Sequence, residues 1–245
     1  MMTGVRVLVS GMGGELGSRV ASLLENEPWV GSLEGIDVDP PRRQLRRTRF
    51  HRIVPGQHER TVETVLRFDP HVLVHVAVWE PDVRANTRTA RSLTDDAAIS
   101  ILGAAAECRS LESIVVRSGV EVYGRAHGSA TRPSEQAPVA PTSDYGRMLA
   151  EIELTAATIA RRVGVSVGML RLATVLGPHV PSALGRLLRL PVVPCSALAD
   201  PPFAVIHQHD AAEAFVRAAE LRVDEPLNIV APGAITIRQA IRRGG

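Results

Sequence analysis

The chain has 245 residues, 45% hydrophobic and 22% charged, which is enough apolar material to build a sizeable core in one domain. Its longest apolar run, Val72 to Trp79, is far too short to span a bilayer. A net charge of +2 and an aromatic content of 3% argue against a nucleic-acid partner. Because glycines interrupt the N-terminus from Gly11 onward and no leader pattern precedes them, we expect a cytoplasmic protein without a membrane partner.

Two residue types narrow the chemistry further. All 28 basic residues are arginine, so the chain contains no lysine. Cys108 and Cys195 lie far apart, and neither belongs to a CxxC pair. We therefore expect buried free thiols rather than a disulfide or a metal site.

Strand-like apolar runs alternate with helix-like segments along most of the chain. In chain order the patterns predict strand Val5–Ser10, helix Gly14–Glu27, strand Leu33–Val38, strand His51–Val54, helix Arg60–Phe68, strand Val72–Val78, helix Asp95–Glu107, strand Ser113–Ser118, a helix capped by Thr142 or Ser143 that ends near Arg162, and strand Ser166–Arg171. This β-α-β alternation predicts an α/β fold with a doubly wound parallel sheet and right-handed crossovers.

A glycine-rich turn joins the first strand to the first helix. Its seven residues are Gly11, Met12, Gly13, Gly14, Glu15, Leu16 and Gly17, in a GxxGxxG spacing. Glycine allows the tight turn and lets the backbone approach a pyrophosphate, which the N–H groups at the helix N-terminus then bind. The turn therefore predicts a Rossmann-type dinucleotide-binding domain; a tight turn without a ligand is the alternative.

Asp37 ends the second strand, 20 residues after Gly17. A carboxylate at this position can accept hydrogen bonds from both adenosine ribose hydroxyls and would repel a 2′-phosphate, so NAD is favoured over NADP. Several arginines follow directly: Arg42, Arg43, Arg46, Arg47, Arg49 and Arg52. We interpret them as a solvated loop and helix face. Because one of them could neutralise a 2′-phosphate, NADP stays as the less favoured cofactor.

The pattern changes after Gly177, where six prolines interrupt the segment between Pro178 and Pro202. We expect residues 1–177 to form the dinucleotide-binding domain. Residues 178–245 would form a small substrate lobe, either shortened or part of a longer protein, interleaved with the last elements of the sheet.

With these features the chain resembles an extended short-chain dehydrogenase/reductase of the NAD-dependent epimerase/dehydratase family, over nearly its whole length. Besides the glycine turn and Asp37, the resemblance rests on His75-Val76-Ala77, Val122-Tyr123-Gly124, Tyr145-Gly146-Arg147, Arg171 with Leu176-Gly177-Pro178, the stretch Val205 to Asp210, and Asn228. It implies that Val76, Ala77 and Arg171 contact the cofactor, that the substrate is a small molecule such as a nucleotide sugar, and that two copies can pair through the helix carrying Tyr145.

Three histidines, His75, His207 and His209, have competing interpretations. His207, His209 and Asp210 could form a metal cluster, but the resemblance explains them better, with Asp210 as a helix N-cap, and we predict no metal. His75 lies in an apolar strand and is expected to be a core or cofactor-lining residue.

The catalytic side chains depart from the family pattern, which requires a Tyr, a Lys four residues later, and a Ser or Thr four residues before the VYG tyrosine. Tyr145 is present, but the Lys position is Leu149 and the Ser/Thr position is Gly119. An ordinary tyrosine has a pKa of about 10, so a neighbouring cation is what makes it usable near neutrality. Glu121 stands where dehydratase and decarboxylase relatives carry a catalytic Glu, so Tyr145 and Glu121 are the catalytic candidates.

Three functions follow from this pattern. The favoured one is an NAD-binding family member whose usual redox step is lost or nearly lost. The first alternative is an active nucleotide-sugar epimerase or dehydratase that uses Tyr145 and Glu121. The second alternative is a non-catalytic interaction module whose cofactor site is vestigial, with side chains blocking the space near Gly11 and Gly14.

Overall fold

A computed structural model describes residues 4–79, 86–126, 128, 130–180, 182–193, 200 and 202–244 of the chain. The elements in chain order are β1 (Val5–Ser10), α1 (Glu15–Leu24), β2 (Val30–Asp37), β3 (Thr48–Arg52), α2 (His58–Phe68), β4 (Val72–His75), α3 (Thr87–Ala105), β5 (Ser113–Gly119), a short 3₁₀ helix (Val120–Tyr123), α4 (Asp144–Val163), β6 (Ser166–Leu172), β7 (Thr174–Leu176), α5 (Ala183–Leu188), β8 (Val205–His207), α6 (Gln208–Leu221), β9 (Pro226–Ile229) and α7 (Ile237–Gly244).

Seven of the strands form one parallel sheet in the order β3-β2-β1-β4-β5-β6-β9. The chain moves outward from β1 to β3 and then crosses to β4 on the other side of β1, so the topological switch point lies between β1 and β4. Ligands of open α/β sheets bind outside the carboxyl ends of the strands at this point. The predicted Rossmann-type doubly wound sheet is confirmed.

Both faces of the sheet are covered, which explains why the central strands are apolar at nearly every position. Val7 and Val9 of β1 point into a core shared with α1 and α6, whereas Leu8 points into a core shared with α3 and α4. All three side chains are fully buried. The sheet therefore holds the end of β1, and the glycine turn that follows it, in a fixed position.

Some element boundaries differ from the sequence predictions. Helix α3 begins at Thr87 rather than Asp95, because the Asn86 side chain caps it by accepting a hydrogen bond from the Thr89 N–H. Strand β3 covers Thr48–Arg52 rather than His51–Val54. The arginine-rich stretch is therefore a loop and a strand, and the predicted helix face is wrong.

The segment after Gly177 contributes to the main unit as well as to a small separate sheet. Helix α6 packs against α1, and β9 extends the large sheet beyond β6. Strands β7 and β8 pair in parallel as a second sheet. The division of the chain into two units at residue 177, with interleaved last elements, stays a prediction.

The cysteines and the hydropathy of the helices can be compared with the sequence expectations. Cys108 is a half-buried free thiol whose pKa is raised to about 11, mainly by burial, and Cys195 lies outside the described residues. Over the part of the chain that the structure describes, no helix is both long and apolar enough to cross a membrane.

Candidate functional site

The glycine turn after β1 is built from close backbone contacts. Gly11 has a φ of +81° and donates its N–H to the Ile36 carbonyl at 2.9 Å. A Cβ on Gly11 would lie 2.5 Å from the Ala77 nitrogen. A Cβ on Gly13 would overlap the Asp39 carbonyl oxygen, and one on Gly17 would overlap the Gly11 carbonyl oxygen. Because these neighbours are backbone atoms, side chains at these glycines would push the turn apart.

The middle glycine of the motif differs from the others. Gly14 is the N-cap of α1, and a Cβ there would meet only the Gly11 carbonyl oxygen, at 3.6 Å. The Cβ position of Gly14 is therefore open, at the end of α1 where the N–H groups of a first helical turn can bind an anion. Such a cradle fits the pyrophosphate of a dinucleotide.

The other residues of the turn, Met12, Leu16 and Glu15, contact the sheet, the core and nearby arginines. Met12 is fully buried against Gly35 of β2, and its carbonyl accepts the Ser18 hydroxyl at 2.8 Å. Leu16 packs at the edge of the core between the sheet and α1. The Glu15 carboxylate points to Arg19, at 3.2 Å, and Arg43, at 3.6 Å. Its negative charge is thus compensated beside a predicted phosphate site.

Asp37 stands at the carboxyl end of β2, next to the glycine turn. Its Oδ2 accepts the Gly13 N–H at 2.7 Å and its Oδ1 accepts the Val38 N–H at 2.6 Å. Burial raises the pKa of the carboxyl above its usual value, although both N–H groups oppose that shift. The arrangement holds the carboxylate at the edge of the cleft, where a ribose diol would need it.

Arginine side chains hold the loop after β2 against α1. The Arg42 backbone N–H donates to Ser18 Oγ at 2.8 Å and its Nε donates to the Gly13 carbonyl at 3.3 Å. The backbone N–H groups of Arg46 and Arg47 share Glu25 Oε1. Arg42 thus holds the loop through its backbone N–H and also bonds the Gly13 carbonyl of the turn through its guanidinium. It is therefore the arginine best placed to contact a 2′-phosphate.

An open cleft extends from the turn toward α2 and α3. Gly11, Asp37 and Ala77 line its inner end, and Ile53 and Ile101 form apolar walls. Val76 is buried beside it and donates its N–H to the Ser10 carbonyl at 2.9 Å. This shape fits a flat base attached to the ribose that Asp37 would hold.

His75, at the end of β4, is fully buried and is a core residue. Its Nδ1 lies 2.6 Å from Ser10 Oγ, and its Nε2 has no partner among the described residues. Burial lowers the pKa of the imidazole to about 4, so the ring is neutral near pH 7.

The other end of the site lies where β5 meets the N-terminus of α4. Ser143 caps α4, as predicted, by accepting the Gly146 N–H at 3.0 Å. A Cβ on Gly146 would lie 2.5 Å from the Glu121 carbonyl oxygen, so the helix start and the 3₁₀ helix are in close contact. This contact brings Tyr145 and Glu121 onto adjoining segments.

The space at the missing Ser/Thr position is filled. A Cβ on Gly119 would overlap Glu121 Oε2 and would lie 3.0 Å from Leu149 Cδ1. Leu149 is fully buried in the core of α3, α4 and the sheet. A carboxylate and a methyl group therefore occupy the place where the family pattern has a hydroxyl and an ammonium.

Arg171 is part of a buried polar network that the sequence patterns did not predict. Its guanidinium forms a bidentate ion pair with Glu153, at 2.9 and 2.7 Å, and also donates to Tyr123 Oη and the Glu135 carbonyl. Tyr123 in turn donates to Asn228 Oδ1 at 2.7 Å. Four of the five N–H groups are thus used inside the fold, and the predicted cofactor contact of Arg171 stays a prediction that this arrangement does not favour.

The start of α6 corrects one expectation. His207, not Asp210, is the N-cap, because the helix begins at Gln208 and the His207 side chain accepts the His209 N–H at 3.3 Å. Asp210 lies in the first helical turn instead. In the described part of the chain no group of three or more metal-ligating side chains converges.

Comparison with known proteins is consistent with this geometry. A sequence model of the NAD dependent epimerase/dehydratase family matches residues 7–230. An uncharacterised protein from Mycobacterium tuberculosis is 28% identical over 246 residues, covering 98% of this chain and 65% of that protein. The chain thus spans 65% of the length of the curated relatives it matches.

Solved structures with the same fold are more distant in sequence. UDP-glucose 4-epimerase from Thermotoga maritima, with UDP-glucose, superposes with a TM-score of 0.82 at 20% identity, covering 97% of this chain and 80% of that one. UDP-glucose 4-epimerase from Brucella ovis, in complex with NAD, gives 0.81 at 21% identity, covering 98% and 81%. At these identities the structures establish the fold.

Proposed function

Because the chain belongs to the NAD-dependent epimerase/dehydratase family, we propose that it binds NAD and has lost, or nearly lost, the family's usual redox step. The glycine turn would hold the pyrophosphate and Asp37 the adenosine ribose. Bound NAD would supply a hydride acceptor on the other side of the glycine turn, toward the start of α4. The protein would then act as an NAD sensor, a regulator of a partner or a scaffold.

One observation carries the proposal: the buried Leu149 side chain and the Glu121 carboxylate converge on Gly119. Four residues after Tyr145, where the family pattern has the lysine whose charge favours the phenolate, this chain has Leu149. Since the chain has no lysine, no other residue can supply an ammonium from within it.

The preference for NAD over NADP rests on Asp37. Its carboxylate would repel a 2′-phosphate, whereas the ribose diol of NAD can donate to it. The Arg42 guanidinium donates to the Gly13 carbonyl of the glycine turn, so Arg42 would be the residue to offset that repulsion.

Calorimetry with each dinucleotide tests the proposal. We expect NAD to bind more tightly than NADP, and UDP-glucose incubated with the NAD-loaded protein to yield no epimerised or dehydrated sugar nucleotide. If neither dinucleotide bound at millimolar concentration, the proposal would be wrong.

An active epimerase or dehydratase is the second candidate. The structural neighbours bind UDP-glucose, UDP-glucuronic acid and NAD, and the Glu121 carboxylate occupies the place of the missing hydroxyl. In this alternative Tyr145 takes a proton from a sugar hydroxyl and Glu121 assists. Turnover that survives unchanged in both Tyr145→Phe and Glu121→Gln would remove these residues from the mechanism.

An interaction module with a vestigial cofactor site has less support. That reading predicts side chains blocking the space near Gly11 and Gly14. In the described residues the cleft reaches Gly11, and only a carbonyl oxygen lies near the position of a Gly14 Cβ.

Homodimerisation through α4 stays a prediction from the family resemblance. It is supported by Leu154, which is 65% exposed on the outer side of α4, and by Ile99, equally exposed on the neighbouring α3. Sedimentation velocity of the wild type and of Leu154→Arg tests it; a monomer in both cases would contradict the pairing.

A further inference from the structure

The outer end of the cleft carries a polar cluster that the proposed NAD site does not yet explain. The loop between β3 and α2 is tied to α3 there. The Gly56 N–H donates to Asp96 Oδ2 at 2.9 Å, His58 Nε2 lies 3.3 Å from Asp96 Oδ1, and His58 Nδ1 lies 2.6 Å from Ser100 Oγ. All four residues line the same cleft as Gly11 and Asp37.

The position of this cluster matches the polar edge of a base. With the ribose on Asp37, a purine would extend between the apolar walls formed by Ile53 and Ile101, which are 5% and 4% exposed. Its hydrogen-bonding edge would then face the polar end of the cleft, because the walls offer it no partner.

Asp96 has the capacity to accept another hydrogen bond. Each of its oxygens has one partner, Gly56 N–H or His58, whereas an ionised carboxylate accepts about four hydrogen bonds in all. Its side chain is 29% exposed, so it is accessible from the cleft. The three residues that follow β3 on the opposite wall, Ile53, Val54 and Pro55, carry no acceptor in their side chains.

We propose that Asp96 accepts a hydrogen bond from the exocyclic amino group of the adenine and thereby makes the site select a 6-amino purine over a 6-oxo purine. The proposal rests on the proposed binding of NAD. A 6-oxo purine carries its hydrogen on N1 and none on the 6-substituent, so where the amino group of adenine donates, the oxygen would face the carboxylate without a hydrogen bond. Sites built to bond an N–H group reject analogues that lack it far more strongly than apolar sites reject a change of size.

Calorimetry with NAD and with nicotinamide hypoxanthine dinucleotide tests the proposal, because the two differ only in the base. For the wild type we expect NAD to bind at least about tenfold more tightly, the value of one hydrogen bond to a charged group. In Asp96→Asn the ratio should fall to within about threefold, since the carboxamide can donate to the 6-oxo group and still accept from Gly56. Asp95→Asn is the matched control; Asp95 pairs with Arg91 and should leave the wild-type ratio unchanged.

The outcomes separate the two proposals. Equal affinity of the wild type for both dinucleotides overturns the role of Asp96, and so does an unchanged preference in Asp96→Asn. Failure of the wild type to bind either dinucleotide overturns the proposed function itself. Equal affinity of the wild type overturns the role of Asp96 even if Asp96→Asn does not fold, because that measurement needs no substitution.

Discussion

The end of the site that we propose for the phosphates is made mostly of backbone, whereas the end that we propose for the nicotinamide depends on side chains. At the phosphate end, Gly11, Gly13 and Gly17 touch backbone atoms so closely that the fold and the binding site share the same requirement. At the nicotinamide end, Gly119 and Leu149 differ from the family pattern, yet the core around them is closed and well packed. The fold therefore depends on the glycine turn, whereas it accommodates Gly119 and Leu149 in place of the side chains of the family pattern.

The largest expected effect is at the phosphate end, with Gly17→Ala. A Cβ there would overlap the Gly11 carbonyl oxygen and lie 3.0 Å from Met12 Cα. Since backbone must move, we expect the free energy of unfolding to fall by about 3 kcal/mol and NAD affinity to fall about 100-fold. Urea denaturation and calorimetry measure the two changes.

Gly103→Ala is the matched control for that substitution, because it also replaces a helical glycine. A Cβ on Gly103 of α3 would have no atom within 4 Å. Alanine should stabilise that helix by about 1 kcal/mol and leave NAD binding unchanged. Equal destabilisation by both substitutions would show that close packing is not what sets the glycine turn apart.

The second prediction concerns His75, which lies between the two ends. Its pKa is about 4 in the folded protein and 6.5 when unfolded, so the unfolded chain binds more protons between these values. Its contribution to stability is therefore complete above pH 6.5 and is lost as pH falls toward 4, amounting to about 3 kcal/mol. Urea denaturation at pH 7 and pH 4 should show this loss in the wild type.

His75→Gln should remove that part of the pH dependence, because glutamine does not titrate but can still bond Ser10. His58→Gln serves as the control, since the His58 side chain is 58% exposed. If the wild type and His75→Gln lost the same stability on acidification, His75 would not be the buried neutral group that the structure places there.

The third prediction tests cofactor choice. Asp37→Ala removes the acceptor of the ribose hydroxyls and the charge that repels a 2′-phosphate. We expect NAD to bind about 30-fold more weakly, the effect of losing hydrogen bonds to a charged group, while NADP affinity changes little. Parallel titrations with NAD and NADP measure the ratio.

Asp39→Ala is the control for this substitution, because Asp39 is an exposed carboxylate two residues away on the same loop. It should leave the NAD-to-NADP ratio near the wild-type value. A wild type that prefers NADP would contradict the assignment of Asp37 and point to Arg42 as the dominant group.

The same difference between backbone and side chains decides what the sequence could predict. The sheet and the turn at Gly11 were predictable, because alternating apolar runs and glycine spacing are local signals. The place of Asp37 at the end of β2 and the Ser143 cap were predictable in the same way, while the role of Asp37 stays a prediction. The start of α3 was missed because Asn86 reveals itself as a cap only through its bond to the Thr89 N–H.

Long-range polar contacts were not predictable. Glu153 looks like a solvent-exposed residue of α4 by its type, but it lies on the same helical face as Leu149 and Ile152, and that position was the available signal. Its partner Arg171 comes from β6, and only the packing of α4 on the sheet brings them together. The contact of Glu121 with Gly119 likewise depends on how the 3₁₀ helix folds back on β5.

The smallest predicted effect is at the nicotinamide end, with Leu149→Lys. Leu149 lies one helical turn after Tyr145 on the same face of α4, so an ammonium there would stand near the phenol. We expect the pKa of Tyr145 to fall by about one unit, because a nearby cation favours the phenolate. Glu121, which also reaches Gly119, would pair with the introduced ammonium and limit the cost of burying it.

The ultraviolet absorbance of phenolate, followed as a function of pH, measures that shift. Comparison with Leu149→Lys combined with Tyr145→Phe assigns it, because Tyr123 is the only other tyrosine in the chain. Leu154→Lys on the exposed side of α4 is the matched control and should leave the titration unchanged. If Leu149→Lys also left it unchanged, residue 149 would not occupy the place of the family's lysine. The explanation for a weakened redox step would then have to rest on Gly119 and Glu121 alone.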